Sequence, residues 1–237
     1  FCYGVRRAVD MAAHAKKGTK TLGPIIHNPQ VVSRLAAYGV GPVDSLDEIQ
    51  TGETVLIRSH GVGPEVYAEA EKKGLHVIDA TCPHVKKAQQ DAKKIVEQEK
   101  KLIIIGEKAH PEVISISQWG ANRAIIIDRE KEAEKIMPAD SLGVVVQTTF
   151  SQEQFKRIAA ILQTKTQDLD VHMTICTATQ QRQHAAEAQR QRRIGIGEYV
   201  GEGQGKVALQ AAAAAQNDHA PHHGADKAEC GQQQIPH

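Results

Sequence analysis

Asp79-Ala80-Thr81-Cys82-Pro83-His84 is the stretch on which the reading of the chain turns. It follows a short apolar run, Leu75-His76-Val77-Ile78, and precedes a helical pattern from Val85 to Glu99. Strand, tight turn and helix, with a cysteine in the turn, form the joint of an α/β chain. A thiol there faces unpaired backbone N–H groups and the positive end of a helix dipole, so its pKa is expected to fall and its thiolate to be favoured. A lone cysteine in such a turn reads as readily structural as functional. Two more in similar settings change the balance.

Toward the N-terminus, Phe1-Cys2-Tyr3-Gly4-Val5 leads into a helix over Arg6–Lys17, with Val5, Ala8, Val9, Ala12 and Ala13 on one face. Leu22–Pro29 reads as a turn-rich loop before a helix at Gln30–Tyr38. A strand at Thr54–Arg58 ends in Ser59-His60-Gly61 and leads to a helix at Pro64–Lys73. Beyond Cys82, Leu102-Ile103-Ile104-Ile105-Gly106 is a continuous β-branched run of the kind buried on both faces. It leads to His110-Pro111-Glu112-Val113. Ala124–Asp128 and Gly143–Gln147 are further strands, with helices at Arg129–Ile136 and Ser151–Gln163. Val171–Ile175 reads as a strand closed by Cys176, with helix from Gln180 onward.

Strands alternating with helices predict an α/β fold with mostly parallel sheets. Cys2, Cys82 and Cys176 are widely and evenly spaced, each opening a helix, which suggests a threefold internal echo with lobes over residues 1–78, 79–170 and 171–237. From His184 to His237 the chain is poor in large aliphatic residues and rich in Ala, Gln, Gly and His, so it buries too little apolar surface to offset its ordering entropy. Either this is an unpacked tail, or the residues there do not represent a native third lobe. Ile194-Gly195-Ile196-Gly197 reads as the remnant of a strand.

The 237 residues carry a net charge of +1, which gives no basis for non-specific nucleic-acid binding. No apolar run reaches membrane-span length and no signal-peptide pattern appears, so a cytoplasmic protein without membrane or nucleic-acid partners is expected. The first residue is Phe1 rather than methionine, so a longer N-terminus is expected. The cysteines include no CxxC pair, and their spacing suits metal or catalysis better than disulfides.

Three thiolates meeting at one point suit an iron–sulfur cluster with an open coordination position, or a Cys₃ zinc site. The competing reading is three unrelated buried thiols. Cys230 lies in the degenerate tail and is not expected to be a ligand. His27, His60 and His110 each occupy a turn ahead of a helix, an arrangement that offers imidazole donors and helix N-termini to a phosphate or diphosphate. Glu112, in the His110 turn, could carry a proton or simply be a first-turn glutamate. Thr148 and Thr149, at a strand end, either bond a ligand or cap a helix. Lys86-Lys87 and Lys93-Lys94 read as solvated helix faces, and Trp119 as packing.

Taken together, Phe1–Val5, Ile26-His27-Asn28, Arg58-Ser59-His60-Gly61-Val62, Asp79–Pro83, His110–Val113, Gln147-Thr148-Thr149 and Ile175–Thr179 with Arg182-Gln183 closely resemble the 4-hydroxy-3-methylbut-2-enyl diphosphate reductase family, over Phe1 to about Gln183. The resemblance implies a trefoil of three pseudo-symmetric α/β lobes around a central [4Fe–4S] cluster. Cys2, Cys82 and Cys176 match its ligands, and the fourth iron lacks a protein ligand and is open to the substrate hydroxyl. His27, His60 and His110 match diphosphate- and substrate-binding residues, Glu112 the proton donor, and Thr148 the hydroxyl network, with Thr149 beside it. Electrons are expected from ferredoxin or flavodoxin.

The chain also departs from the family. Its Asn/Ser-rich diphosphate loop is missing, no serine follows Ser151, and the family's strand before Phe1 is absent. The rival readings are a cluster-dependent hydro-lyase, and a non-catalytic metal- or phosphate-binding protein.

Overall fold

The structure, a computed structural model, describes the backbone of residues 1–201 and the side chains of residues 1–190. Its frame is two four-stranded sheets, both parallel throughout. The first contains β1 (Lys20–Leu22), β2 (Gly41–Val43), β3 (Thr54–Ile57) and β4 (His76–Asp79), in the order β2-β1-β3-β4. The second contains β5 (Lys101–Ile105), β6 (Ile125–Ile127), β7 (Ser141–Val146) and β8 (Asp168–His172), in the order β6-β5-β7-β8. The two orders are the same.

Parallel strands need crossovers, and the crossover helices cover both faces of each sheet. On the first sheet, α1 (Tyr3–Ala13) and α2 (Pro29–Ala37) lie on one face, and α3 (Pro64–Lys72) with a 3-10 turn at Leu46–Glu48 on the other. On the second, α4 (Pro83–Glu97) and α5 (Pro111–Trp119) pack on one face, with α6 (Glu130–Glu134) and α7 (Gln152–Gln163) opposite. The period of two along a strand divides the core. Leu102 and Ile104 join α4 and α5, while Ile103 and Ile105 join α6 and α7. Each such buried side chain contributes about 1.5–3 kcal/mol.

Strand order reverses between β1 and β3, and again between β5 and β7. At such a switch point the loops beyond the carboxyl ends diverge and leave a crevice. His27 follows β1 and His60 follows β3; His110 follows β5, and Thr148 and Thr149 follow β7. The topology alone therefore gathers these residues.

β1 and β2 lie in segments for which the sequence suggests no element, apart from Leu22, which falls in a turn-rich loop. Two expectations need correction. The predicted strand at Val171–Ile175 is displaced: β8 runs Asp168–His172 and is an edge strand of the second sheet, so residues 171 and 172 belong to that sheet and not to a third lobe. Its polar residues are held by the ion pairs of Lys100 with Asp168 and Asp170 and by the contacts of the His172 ring with Asp91 and Asp170, which an apolar count overlooks. Ile194–Gly197 falls within α8 (Thr177–Gly201), where the Gln-, Ala- and Arg-rich sequence before it favours helix.

The chain divides into two compact units, Phe1–Ala185 and Ala186–His237. The site described below lies wholly within the first. Residues 202–237, with the expected non-ligand Cys230, lie outside the described residues, as does most of the predicted third lobe. Among the described residues, no helix is long and apolar enough to cross a membrane.

Candidate active site

The Cys82 turn is tied by two hydrogen bonds to the carboxyl end of β3. The N–H of Ala80 donates to the Ile57 carbonyl and that of Cys82 to the Ser59 carbonyl, both at 3.0 Å. Asp79 Oδ1 accepts from the Thr81 N–H at 2.9 Å, and its other oxygen meets Lys86 Nζ at 2.6 Å, so Lys86 is not simply a solvated charge. Arg7 donates to the carbonyls of Asp79 and Thr81. Cys82 is the N-cap of α4 and Cys2 the N-cap of α1, while Cys176 immediately precedes α8. The Cys176 N–H donates to the Thr148 carbonyl at 3.0 Å, as that of Cys82 does to Ser59.

All three are free thiols, half-buried, and line one cavity of about 210 Å³. Gly4 is there because α1 passes directly over Cys82: a Cβ on Gly4 would run into Cys82 Sγ. The Cys176 sulfur lies 3.1 Å from Thr179 Oγ1. The expectation of a lowered Cys82 pKa is wrong. Burial pushes it up, and the N–H groups of His84 and Val85 at the helix start offset this only partly, while Cys2 and Cys176 add to the rise. Three neighbouring thiols resist becoming three thiolates until a cationic group compensates them.

The same cavity is lined by His60, Glu112, Thr148 and Thr149. Glu112 is in the first turn of α5 but points inward, and it is only 2% exposed. Thr148 grips both carboxylate oxygens, its N–H donating to Oε1 at 2.6 Å and its hydroxyl to Oε2 at 2.9 Å. Burial raises the Glu112 pKa, and these two bonds oppose the rise. Capping of α7 falls to Ser151, whose hydroxyl accepts from the Gln154 N–H, so Thr148 and Thr149 are not its capping residues. Thr149 Oγ1 accepts from Gln147 Nε2 at 3.1 Å.

The three histidines meet. Ring centroids lie 4.4 Å apart for His27 and His60, 5.6 Å for His27 and His110, and 5.4 Å for His60 and His110. One ring nitrogen from each falls within 4.8 Å of the others, near enough to share a single ligand. Burial, with His27, His110 and Arg58 nearby, lowers the His60 pKa to about 3. His110 is lowered for the same reasons, with Glu107 opposing. His110 caps α5 by accepting the Glu112 N–H on Nδ1 at 3.2 Å, which leaves its proton on Nε2, as a donor. Three such nitrogens could hold a metal ion. The Arg58 charge and the N-termini of α2, α3 and α5, each opening with proline just after these turns, favour an anion instead.

A sequence profile of the family described as LytB protein matches residues 1–219. This chain belongs to that family. The match runs past Gln183, where the motif resemblance stops. This LytB chain is 42% identical over 181 residues to the 4-hydroxy-3-methylbut-2-enyl diphosphate reductase of Citrifermentans bemidjiense, covering 75% of this chain and 64% of that one. It is 39% identical over 185 residues to the enzyme of the same name from Caldanaerobacter subterraneus subsp. tengcongensis, with the same coverage, so it spans less than two thirds of the length of either relative. A solved structure of the E-1-hydroxy-2-methyl-but-2-enyl-4-diphosphate reductase from Plasmodium falciparum superposes with a TM-score of 0.74 at 29% identity, over 78% of this chain and 61% of that one. A second, of (E)-4-hydroxy-3-methyl-but-2-enyl diphosphate reductase, described as the terminal enzyme of the non-mevalonate pathway, gives 0.70 at 38% identity, over 78% and 68%.

Several residues that hold the site were missed by sequence reasoning. Ser115 donates to the His60 carbonyl at 2.9 Å, and buried Gln89 donates to Ser115 at 3.2 Å. Gln147 accepts the Glu107 N–H at 3.0 Å. Trp119 is a packing residue as expected, but it also donates to the Val62 carbonyl at 2.9 Å. Arg58, at the inner end of a core strand without an acidic neighbour in sequence, carried a signal in that isolation.

Proposed function

We propose that this LytB chain reduces 4-hydroxy-3-methylbut-2-enyl diphosphate to isopentenyl and dimethylallyl diphosphate, the last step of the non-mevalonate isoprenoid route. The observation that carries the reading is one cavity lined by three free thiols, by the Glu112–Thr148 pair and by one member of a histidine cluster. Three half-buried sulfurs with backbone N–H donors at a helix start fit an iron–sulfur cluster, and Cys2, Cys82 and Cys176 would hold it. When bound, a [4Fe–4S] cluster with one iron free of protein ligands supplies one-electron transfer and Lewis acidity.

The reaction takes up two electrons and two protons. The allylic C–O bond breaks, one proton leaves with the oxygen as water, and the other forms the new C–H bond. His27, His60 and His110 hold the diphosphate by ring N–H donation, which fixes the hydroxyl end toward the thiols. Glu112, whose pKa burial raises, is the proton source. Thr148 holds both oxygens of Glu112 and so aims the acidic proton. Thr149, tethered by Gln147, completes the wall.

Ferredoxin or flavodoxin is the proposed donor, the cytoplasm the proposed compartment, and a three-lobed trefoil the proposed whole. The experiment is anaerobic purification with iron and sulfide counting, electron paramagnetic resonance, and turnover with and without a chemical reductant. Reductant-dependent product is expected. Product without reductant would assign the hydro-lyase chemistry instead, and a chain with neither cluster nor product would be a binding protein only.

A further inference from the structure

Arg58 directly follows β3 and stands two residues before His60. Its Nε is sealed from solvent without a hydrogen-bond partner, and among the described residues no ion pair or hydrogen bond reaches its guanidinium. Two other half-buried cations are matched by carboxylates, Lys86 by Asp79 and Lys100 by Asp170. The groups that feel the Arg58 charge are His60 and His110. Asp44 lines the same cavity as Arg58, about 290 Å³ in volume, without pairing to it. The turn after β1 is shaped to admit the side chain. Gly23 has φ +70°, and a Cβ there would fall 2.6 Å from Arg58 Nη1. A partly buried, unmatched charge costs stability, and a site for an oppositely charged ligand explains its presence.

Resting on the reading of the histidine cluster as the diphosphate site, we propose that Arg58 is the fixed positive charge of that site, a positioning residue acting through His60 and His110. Arginine keeps its charge at every relevant pH, whereas imidazoles at this depth do not. The division of labour is therefore one standing charge for attraction and neutral rings for directed N–H donation. His60 faces His27, His110 and Arg58, and His110 faces His27, Glu107 and Arg58. Removing the arginine charge moves protonation of both rings to higher pH.

The test is calorimetric binding of inorganic pyrophosphate to the anaerobically purified full chain, as a function of pH, with thermal unfolding as the check on folding. At neutral pH Arg58→Gln should weaken binding about tenfold, the order expected of one charge acting through partly screened surroundings. Arg58→Lys should stay within about threefold of the unaltered chain, since charge and not the planar fork is at issue. The gain in affinity on acidification should begin at higher pH in Arg58→Gln, a displacement that a purely structural arginine would not cause. Unaltered affinity and pH profile in a folded Arg58→Gln variant overturn the proposal. So does a folded Arg58→Lys variant as weak as His60→Phe, which also decides the matter if the glutamine variant does not fold. If pyrophosphate binds and His60→Phe weakens it, such a result removes Arg58 alone. If the unaltered chain does not bind pyrophosphate, the histidine reading fails, and the proposal with it.

Discussion

The two sheets share one plan and carry different chemistry. His27 and His110 lie the same distance in sequence beyond β1 and β5, and both precede or cap a helix that begins with proline. Ser59 and Thr148 are equivalent, each a buried hydroxyl residue whose carbonyl accepts the N–H of the next cysteine, Cys82 or Cys176. His60 then corresponds to Thr149. The fold repeats the positions because parallel strands with the same crossovers end at the same edge. Identity at each position sets the role. The first half supplies two imidazoles, whereas the second supplies one, together with the buried carboxylate of Glu112.

The largest expected effect tests the repeated part. Cys2→Ser, Cys82→Ser and Cys176→Ser should each abolish the broad visible absorption of the cluster and all turnover, while Cys230→Ser keeps both. Equal loss from the equivalent Cys82 and Cys176 supports the shared plan. A cluster that survives Cys176→Ser, or is lost in Cys230→Ser, would break it.

The next tests what differs. Glu112→Gln preserves shape and can still accept from Thr148, but it has no acidic proton. It should bind substrate with similar affinity and lose about 10²–10⁴-fold in rate, the range for a positioned general acid. The pH dependence follows from the sign. A raised pKa leaves Glu112 protonated well above the usual carboxylate range, so the rate should be full at lower pH and fall as pH rises through that pKa. The glutamine variant should lose that fall. A wild-type rate would move the proton to Thr148 or a bound water.

The third compares equivalents directly. His27→Phe and His110→Phe should each weaken substrate binding roughly ten- to hundredfold, the loss of one hydrogen bond to a charged group, with the cluster intact. His60→Phe should do the same. Unchanged affinity in all three removes the shared anion site.

How much of this was legible follows from burial. Leu102–Ile105 declares itself a strand because both faces are covered, so every residue is apolar. Lys20-Thr21-Leu22 and Gly41-Pro42-Val43 are strands only through pairing with neighbours, and neither alternates nor runs apolar. β8 is an edge whose carboxylates are satisfied by Lys100 from elsewhere in the chain, a compensation invisible in local sequence. At the site, the cysteines and histidines showed because their turns carry the unusual residue types. The sign of the Cys82 shift did not, because burial and the proximity of two other thiols are tertiary facts. Ser115 and Gln89 look like ordinary helix residues until their partners are seen.

The smallest effect concerns how the unlike turns are held. The Thr148-Thr149 turn is anchored largely by its own half, through Gln147 to Glu107 and Thr149. The His60 turn is anchored from both halves: Ser59 donates to the Ile25 carbonyl within its own, while Ser115 Oγ donates to the His60 carbonyl and Trp119 Nε1 to that of Val62 from the other. Trp119 also meets Tyr67 edge-on, with ring centroids 6.3 Å apart. Trp119→Phe keeps a ring for that packing and removes the one donor, leaving the carbonyl of Val62, a residue only 7% exposed, without it. One such bond is worth about 0.5–1.5 kcal/mol, and a chain of this size loses about 2–4 °C in melting temperature per kcal/mol. The expected result is a melting temperature a few degrees lower, with substrate affinity changed by less than any histidine substitution changes it. A large loss of affinity at unchanged melting temperature would make Trp119 a ligand contact and end the account of it as a tie between the halves.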